Sequence, residues 1–152
     1  MIVEIGGTVG DYENVLFLEA VRQMKLEGNN VLFVHVTYVP VLDSLGEAKT
    51  KPTQHSVKLL REIGIQPDFI ITRSKDPLDD VRRDKIAMFC NVHEEEVISN
   101  SNVDNVYSVP LLFETQELSK KILRKLNLRK DRDEMEKWDK FIKKIGKLKN
   151  TV

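Results

Sequence analysis

Residues 49–56 concentrate side chains that can bind a phosphate group. They read Lys-Thr-Lys-Pro-Thr-Gln-His-Ser, and Thr53 is predicted to cap the start of a helix. Lysine supplies a positive charge, threonine a hydrogen bond, and the helix start a set of oriented backbone N–H groups. The alternative is an ordinary capped helix after a lysine-bearing loop. Because three phosphate-binding features coincide, the segment favours a phosphate site.

A second segment, residues 4–13, reads Glu-Ile-Gly-Gly-Thr-Val-Gly-Asp-Tyr-Glu. It lacks the Gly-Lys-Ser/Thr of a Walker A loop and the spacing of a dinucleotide-binding fingerprint. Its carboxylates, Glu4, Asp11 and Glu13, would repel a bare phosphate, but they suit Mg²⁺ bridging to a polyphosphate, or sugar hydroxyls. A tight glycine turn with solvated acids explains the local sequence equally well.

Other reactive side chains are predicted to be structural. His35 lies in an apolar strand, where a hydrogen-bonded core histidine is the usual outcome. Cys90 ends an apolar helix and is predicted to be a buried, inert thiol. Lys85, taken alone, is predicted to be surface charge, and no histidine or cysteine spacing suggests a structural zinc site.

The elements that would position these residues alternate between strands and helices. This pattern predicts an α/β fold with a mostly parallel sheet, flanked by helices and followed by a helical C-terminal tail. A loop with a short helical turn near residues 43–48 is expected over residues 39–51. The apolar patterns predict strands at 1–5, 31–38, 68–72, 97–99 and 105–109, and helices at 14–27, 53–63, 79–89 and 131–150.

Composition excludes several classes of protein. The 152 residues carry 24 Lys plus Arg against 24 Asp plus Glu, so the net charge is zero and no nucleic-acid partner is expected. The 41% hydrophobic content is too high for a disordered chain. No apolar run could span a membrane, the start is unlike a signal peptide, and the one cysteine suits a reducing cytoplasm. A cytoplasmic location is therefore expected.

Several longer motifs, in fixed order, resemble the synthetase (amidoligase) domain of CTP synthases. The resemblance is collinear from residue 1 to about residue 110 and weaker in the helical tail. It implies a P-loop NTPase or Rossmann-like synthetase fold. The motifs are 4–11, 17–23, 49–56, 64–68 and 85–92, the last reading Lys-Ile-Ala-Met-Phe-Cys-Asn-Val.

The resemblance implies an enzyme that aminates UTP to CTP with ATP, Mg²⁺ and glutamine-derived ammonia. By motif position, Glu4 is the implied Mg²⁺ ligand, and no catalytic residue is assigned. The segment near the ATP base comprises Ser101, Asn102 and Val103. The implied UTP- or CTP-binding residues are Asp11, Tyr12, Glu13, Lys49, Thr50, Lys51, Pro52, Thr53, Gln54 and Lys85. In the family, these sites are completed between subunits of a tetramer, so a homo-oligomer is expected.

The expected domain organisation is a partial synthetase domain at 1–128 and a helical connecting segment at 129–152. The family's P-loop segment and its glutaminase domain are expected to be absent, so the chain would be the latter part of the synthetase domain. A chain without those parts is expected to be inactive alone. The alternative is a non-catalytic module, derived from the family, that binds CTP or UTP or acts in assembly.

Overall fold

The computed structural model describes residues 1–42, 47–129 and 135–146. The chain forms two compact units, Met1–Ser101 and Asn102–Val152. In chain order, the helices and strands of the first unit are α1 (Val15–Leu26), β1 (Val34–Tyr38), β2 (Val41–Leu42), β3 (Glu47–Ala48), α2 (Lys51–Glu62), β4 (Phe69–Ser74), α3 (Asp80–Cys90) and β5 (Val97–Ser101), with a 3₁₀ turn at Glu94–Glu96.

The first unit is built on a parallel sheet of three strands in the order β1–β4–β5. Val36 pairs with Ile71 of β4, which in turn pairs with Ile98 of β5. A helix lies in each connection between neighbouring strands, since parallel strands require a crossover. The predicted α/β fold with a parallel sheet is therefore confirmed. The three strands do not by themselves define a P-loop or Rossmann class, so that finer assignment is not confirmed.

An apolar core joins the sheet to α2 and α3. Ile70 and Val97 from the strands pack with Val57 of α2 and Ile86 of α3, and all four are almost fully buried. Cys90 belongs to the same core, and burial raises the pKa of its thiol to about 11. The prediction that Cys90 is buried is confirmed, and a raised pKa favours the unreactive thiol form.

Polar side chains lie between β1 and α2. The hydroxyl oxygens of Thr37 and Thr53 are 3.1 Å apart, and Nε2 of His35 lies 3.0 Å from Oγ of Ser56. His35, Thr37 and Thr53 are buried, so each hydrogen bond replaces water that the side chain loses on folding. His35 is thus the hydrogen-bonded core histidine that the sequence predicts.

Loss of one hydroxyl from the Thr37–Thr53 pair is expected to lower the free energy of unfolding by about 1–2 kcal/mol. Thr53→Val would leave the buried Thr37 hydroxyl without its partner. The double variant with Thr37→Val removes both polar groups and is expected to cost less than the sum of the two single variants. Urea unfolding of the three variants checks this, and strictly additive losses would contradict the pairing.

The opposite side of β1 carries apolar side chains that face solvent. Val34, Val36 and Tyr38 are 41%, 60% and 64% exposed. Among the described residues, β1 pairs only with β4, so its outer edge is open. Natural edge strands usually carry lysine, proline or a bulge, and the sequence Val-His-Val-Thr-Tyr contains neither lysine nor proline.

Several local predictions differ from the structure. Residues 1–5 form no strand, and Met1, Ile2 and Val3 are exposed. Their β-branched composition favours a strand, but a strand forms only where a partner strand lies beside it. Residues 39–51 were expected to form a loop, yet β2 and β3 pair as an antiparallel ladder, with Val41 opposite Ala48. Of the predicted helical turn, residues 47–48 are strand and residues 43–46 lie outside the described part.

Two predictions fail at proline residues. Helix α2 begins at Lys51 rather than after Thr53, with Pro52 in its first turn. Residues 105–109 are not extended, because a 3₁₀ turn at Val106–Ser108 leads into a helix whose first turn contains Pro110. The backbone N–H groups of the first helical turn have no acceptor within the helix, so proline, which has no N–H, is well tolerated there. In both places it therefore lies at the start of a helix.

Among its described residues, the regular elements of the second unit are helices and one 3₁₀ turn, so the predicted helical tail is found there. Trp138 donates a hydrogen bond from Nε1 to the carbonyl oxygen of Tyr107, at 2.9 Å. Phe141 packs against both rings, with centroid distances of 5.4 and 6.3 Å. Of the predicted helix at 131–150, residues 131–134 and 147–150 lie outside the described part. The helices are α4 (Val109–Glu114), α5 (Leu118–Lys125) and α6 (Met135–Ile145).

Candidate functional site

The start of α2 carries the predicted phosphate-binding segment. Thr50 occupies the N-cap position, but its side chain does not bond to the helix amides. Its hydroxyl instead accepts a hydrogen bond from Nε2 of Gln54, at 3.1 Å. Thr50 therefore does not cap the amides at the start of α2, and helix-start amides left without a side-chain cap attract anions. Thr53 is fully buried and engaged with Thr37, so in this structure its hydroxyl supports the sheet.

Lys49 lies immediately after β3 and is held in place at both ends. Its backbone N–H donates to the Pro40 carbonyl oxygen at 2.8 Å, and its Nζ donates to Oε2 of Glu47 at 2.7 Å. Oε1 of Glu47 lies 3.1 Å from NH2 of Arg82, whose Nε donates to the Ala48 carbonyl oxygen at 3.3 Å. The hydrogen bond from Lys49 holds the pKa of the Glu47 carboxyl below its usual range.

Lys51 and Phe89 connect α2 to α3. The Lys51 ammonium lies 5.7 Å from the centroid of the Phe89 ring, which is 53% exposed. Lys85, also exposed, precedes Phe89 by four residues, and residues four apart share one face of a helix. Phe89 was missed from the sequence because it reads as part of an apolar helix, although its spacing from Lys85 was a usable signal.

The glycine-rich segment forms a tight turn before α1. The Asp11 carboxylate accepts a hydrogen bond from the Thr8 N–H at 3.0 Å, and the Asp11 N–H donates to the Thr8 carbonyl oxygen at 2.9 Å. Gly7 and Gly10 have φ of +84° and +97°, in the region that favours glycine. A β-carbon at Gly7 would lie 2.6 Å from Oε1 of Glu13, so the Glu13 carboxylate lies directly against this glycine. Tyr12 is almost fully exposed.

Asn14, which the sequence does not single out, ties this turn to α1. Its Nδ2 donates to the Thr8 carbonyl oxygen at 2.7 Å and reaches that of Gly6 at 3.4 Å. The side chain is buried, and its Oδ1 has no hydrogen-bond partner among the residues that the structure describes. Asn14 therefore fixes the conformation from which Asp11 and Glu13 project.

The carboxylates of the turn do not form a metal site within this chain. In the part of the chain that the structure describes, no group of three or more His, Cys, Asp or Glu side chains could hold an ion. Asp11 is engaged in closing the turn, and Glu4 is exposed. The interpretation of Mg²⁺ between three carboxylates does not fit the residues present, whereas Glu4 as a single ligand stays a prediction.

The glycine turn lies against α2 near Leu59, whereas the predicted lysine segment forms the start of that helix. A β-carbon at Gly10 would lie 3.7 Å from Cδ1 of Leu59, and Val9 packs against the buried cluster of Leu18, Leu60 and Ile65. Leu59 is eight residues after Lys51, about 12 Å along a helix that rises 1.5 Å per residue. The fold therefore does not show these two predicted parts of a nucleotide site side by side.

The residues of the predicted ATP-base segment belong to different units of the chain. Ser101 ends β5 in the first unit and is buried, whereas Asn102 and Val103 begin the second unit and are exposed. Before Ser101, Asn100 is in register with Arg73 on β4, and its buried Oδ1 has no hydrogen-bond partner in the described part of the chain. Ligands of parallel α/β sheets bind beyond the carboxyl ends of the strands. Arg73 and Asn100 lie near those ends, so they could have been predicted from sequence as candidate site residues.

His35 is expected to make the first unit less stable in acid. Burial lowers the pKa of its imidazole below the ordinary 6.5, because a charged ring loses its hydration in the interior. As the pH falls below 6.5, the unfolded chain binds a proton that the folded chain does not, so stability falls by up to about 1.4 kcal/mol per pH unit. Urea unfolding between pH 7.5 and 5 measures this, and an identical profile for His35→Gln would contradict it.

The fold and these contacts define a parallel α/β domain with lysines on either side of the N-cap residue of α2. A family model described as "CTP synthase N-terminus" matches residues 1–128. The chain belongs to the CTP synthase family. It is 54% identical to a CTP synthase of Pyrococcus furiosus, over 100% of this chain and 29% of that protein. A CTP synthase of Chlorobaculum parvum is 47% identical, over 95% of this chain and 26% of that protein.

The chain thus spans 29% or less of the length of these curated relatives. The family match supports the N-terminal region of CTP synthase. It does not support the narrower prediction that the chain is the latter part of the synthetase domain. Across residues 1–42, 47–129 and 135–146, no helix has the length and apolar character needed to cross a membrane.

Proposed function

We propose that this chain contributes UTP- and CTP-binding elements to a CTP synthase, an enzyme that aminates UTP to CTP with ATP and glutamine-derived ammonia. The observation that carries the proposal is the cationic cluster at the start of α2. Lys49 and Lys51 flank Thr50, the N-cap residue, whose side chain does not bond to the helix amides, and Phe89 lies against the Lys51 ammonium. Membership of the CTP synthase family makes a pyrimidine nucleotide the expected polyphosphate.

In this proposal, Lys49, Lys51 and Lys85 bind phosphate oxygens, and Thr50 offers a hydroxyl near the helix start. The positions of Pro52, Thr53 and Gln54 set the shape of that helix start. Lysines and helix N-termini act by charge neutralisation, which is what transfer of a phosphoryl group demands. The ATP-base role of residues 101–103 remains a prediction, and the proposed domain boundary falls between residues 128 and 129.

We further propose that Asp11, Tyr12 and Glu13 contact a nucleotide held by the lysines of another copy of the chain. The support is the contact of the glycine turn with the Leu59 end of α2 rather than the Lys51 end. A homo-oligomer would then be required for a complete site.

Calorimetric titration of the 152-residue chain with UTP, CTP and uridine, each with and without Mg²⁺, tests the proposed function. UTP and CTP are expected to bind at least about tenfold more tightly than uridine, because the cluster contributes mainly to phosphate recognition. Equal affinity for UTP and uridine would contradict the role of the lysines. No binding of any nucleotide at millimolar concentration would contradict the proposal as a whole.

A further inference from the structure

Lys49 already has an anionic partner in this structure. The carboxylate of Glu47 accepts a hydrogen bond from its Nζ at 2.7 Å, and both side chains remain partly open to solvent. A phosphate oxygen approaching Lys49 would therefore meet an ammonium already paired with Glu47. A carboxylate and a phosphate at this position compete for the same N–H donors.

Arg82 gives Glu47 a second anchor that does not depend on Lys49. Its NH2 group lies 3.1 Å from Oε1 of Glu47, the oxygen not used by Lys49. Arg82 is itself fixed, through its hydrogen bond to the Ala48 carbonyl oxygen and an ion pair with Asp79. Because Glu47 keeps Arg82 when Lys49 leaves, the exchange of partners does not strand an unpaired carboxylate.

We infer that Glu47 is a specificity-determining residue that competes with the polyphosphate of a nucleotide for Lys49. This inference rests on the proposed function, since it concerns the same phosphate site. An anion displaces a carboxylate from a lysine only if its own attraction to the cluster is greater. A polyphosphate meets this condition because it carries several charges and can reach Lys49 and Lys51 together, whereas an anion with one charge does not.

Glu47→Gln separates competition from positioning. The amide keeps the size of the side chain and removes the negative charge, so UTP is expected to bind about three- to tenfold more tightly than to the unsubstituted chain. The matched control is Glu62→Gln. Glu62 pairs with Lys58 at 3.7 Å on α2, so its substitution changes the net charge equally without touching Lys49. It is expected to change the UTP affinity less than about twofold.

The readout is the calorimetric dissociation constant for Mg-UTP at one ionic strength, with circular dichroism to verify folding. Glu47→Asp keeps the charge but shortens the side chain, so it is expected to loosen the contact with Lys49 and give a smaller gain in affinity. Unchanged or weaker binding to Glu47→Gln would overturn the inference and make Glu47 a support for Lys49. Failure of the unsubstituted chain to bind UTP would instead contradict the proposed function.

Discussion

Replacing both Lys49 and Lys51 by alanine is expected to weaken UTP binding about a hundredfold. A hydrogen bond to a charged group contributes about 1.5–3 kcal/mol, and each 1.4 kcal/mol is a factor of ten in affinity. The lower value for each lysine gives the hundredfold loss. Both side chains lie at the surface of the fold, so the variant should remain folded. Calorimetric titration with Mg-UTP measures the change.

The matched control for this double variant is Lys58→Ala with Lys75→Ala. Both of these lysines are exposed and outside the cluster, so the same two charges are removed elsewhere. The control is expected to lower the affinity less than about threefold, through the weaker long-range field. Comparable losses in the two double variants would show that binding depends on net charge rather than on the α2 cluster.

Replacing Phe69 by alanine is expected to lower the free energy of unfolding by about 3–5 kcal/mol. Phe69 has no exposed surface and begins β4, the central strand of the sheet. The loss has two parts. One is the hydrophobic free energy gained when the ring is buried on folding, and the other is the cost of the cavity left in its place. Because domains are stable by about 5–15 kcal/mol, the variant should unfold at a much lower urea concentration.

Phe89→Ala removes the same ring from an exposed position and serves as the matched control. Phe89 is 53% exposed, so its substitution is expected to cost about 1 kcal/mol or less. It also removes the ring that lies beside the Lys51 ammonium, a contact worth about 0.5–1 kcal/mol. Equal stability losses at the two positions would contradict the burial difference between them.

The sequence could predict the parts of the fold that depend on neighbouring residues. The prediction of a helix at 79–89 agrees with α3 within one residue at each end, because Asp79 caps it by accepting a hydrogen bond from the Arg82 N–H. Strand β4 was predicted because an apolar run specifies a buried strand. The same signal failed at residues 1–5, since composition does not say whether a partner strand is available.

For the candidate site, too, the sequence predicts segments of consecutive residues but not the contacts between distant ones. The lysines around the start of α2 were found because the phosphate-binding features are consecutive in sequence. The pairing of Glu47 with Arg82 was not, because residues 35 positions apart come together only through the packing of the β2–β3 ladder near α3. The distance between the glycine turn and the lysines also depends on how α1 packs against α2, which no local pattern encodes.

The open edge of β1 affects how readily copies of this chain associate with one another. Along this edge β1 pairs with no strand of the described residues, so its backbone groups and its exposed Val34, Val36 and Tyr38 form a template on which another strand can add. The formal net charge of the chain is zero at pH 7, so electrostatic repulsion does little to keep copies apart. For the chain by itself, concentration and ionic conditions should therefore limit solubility before temperature does, through association at β1.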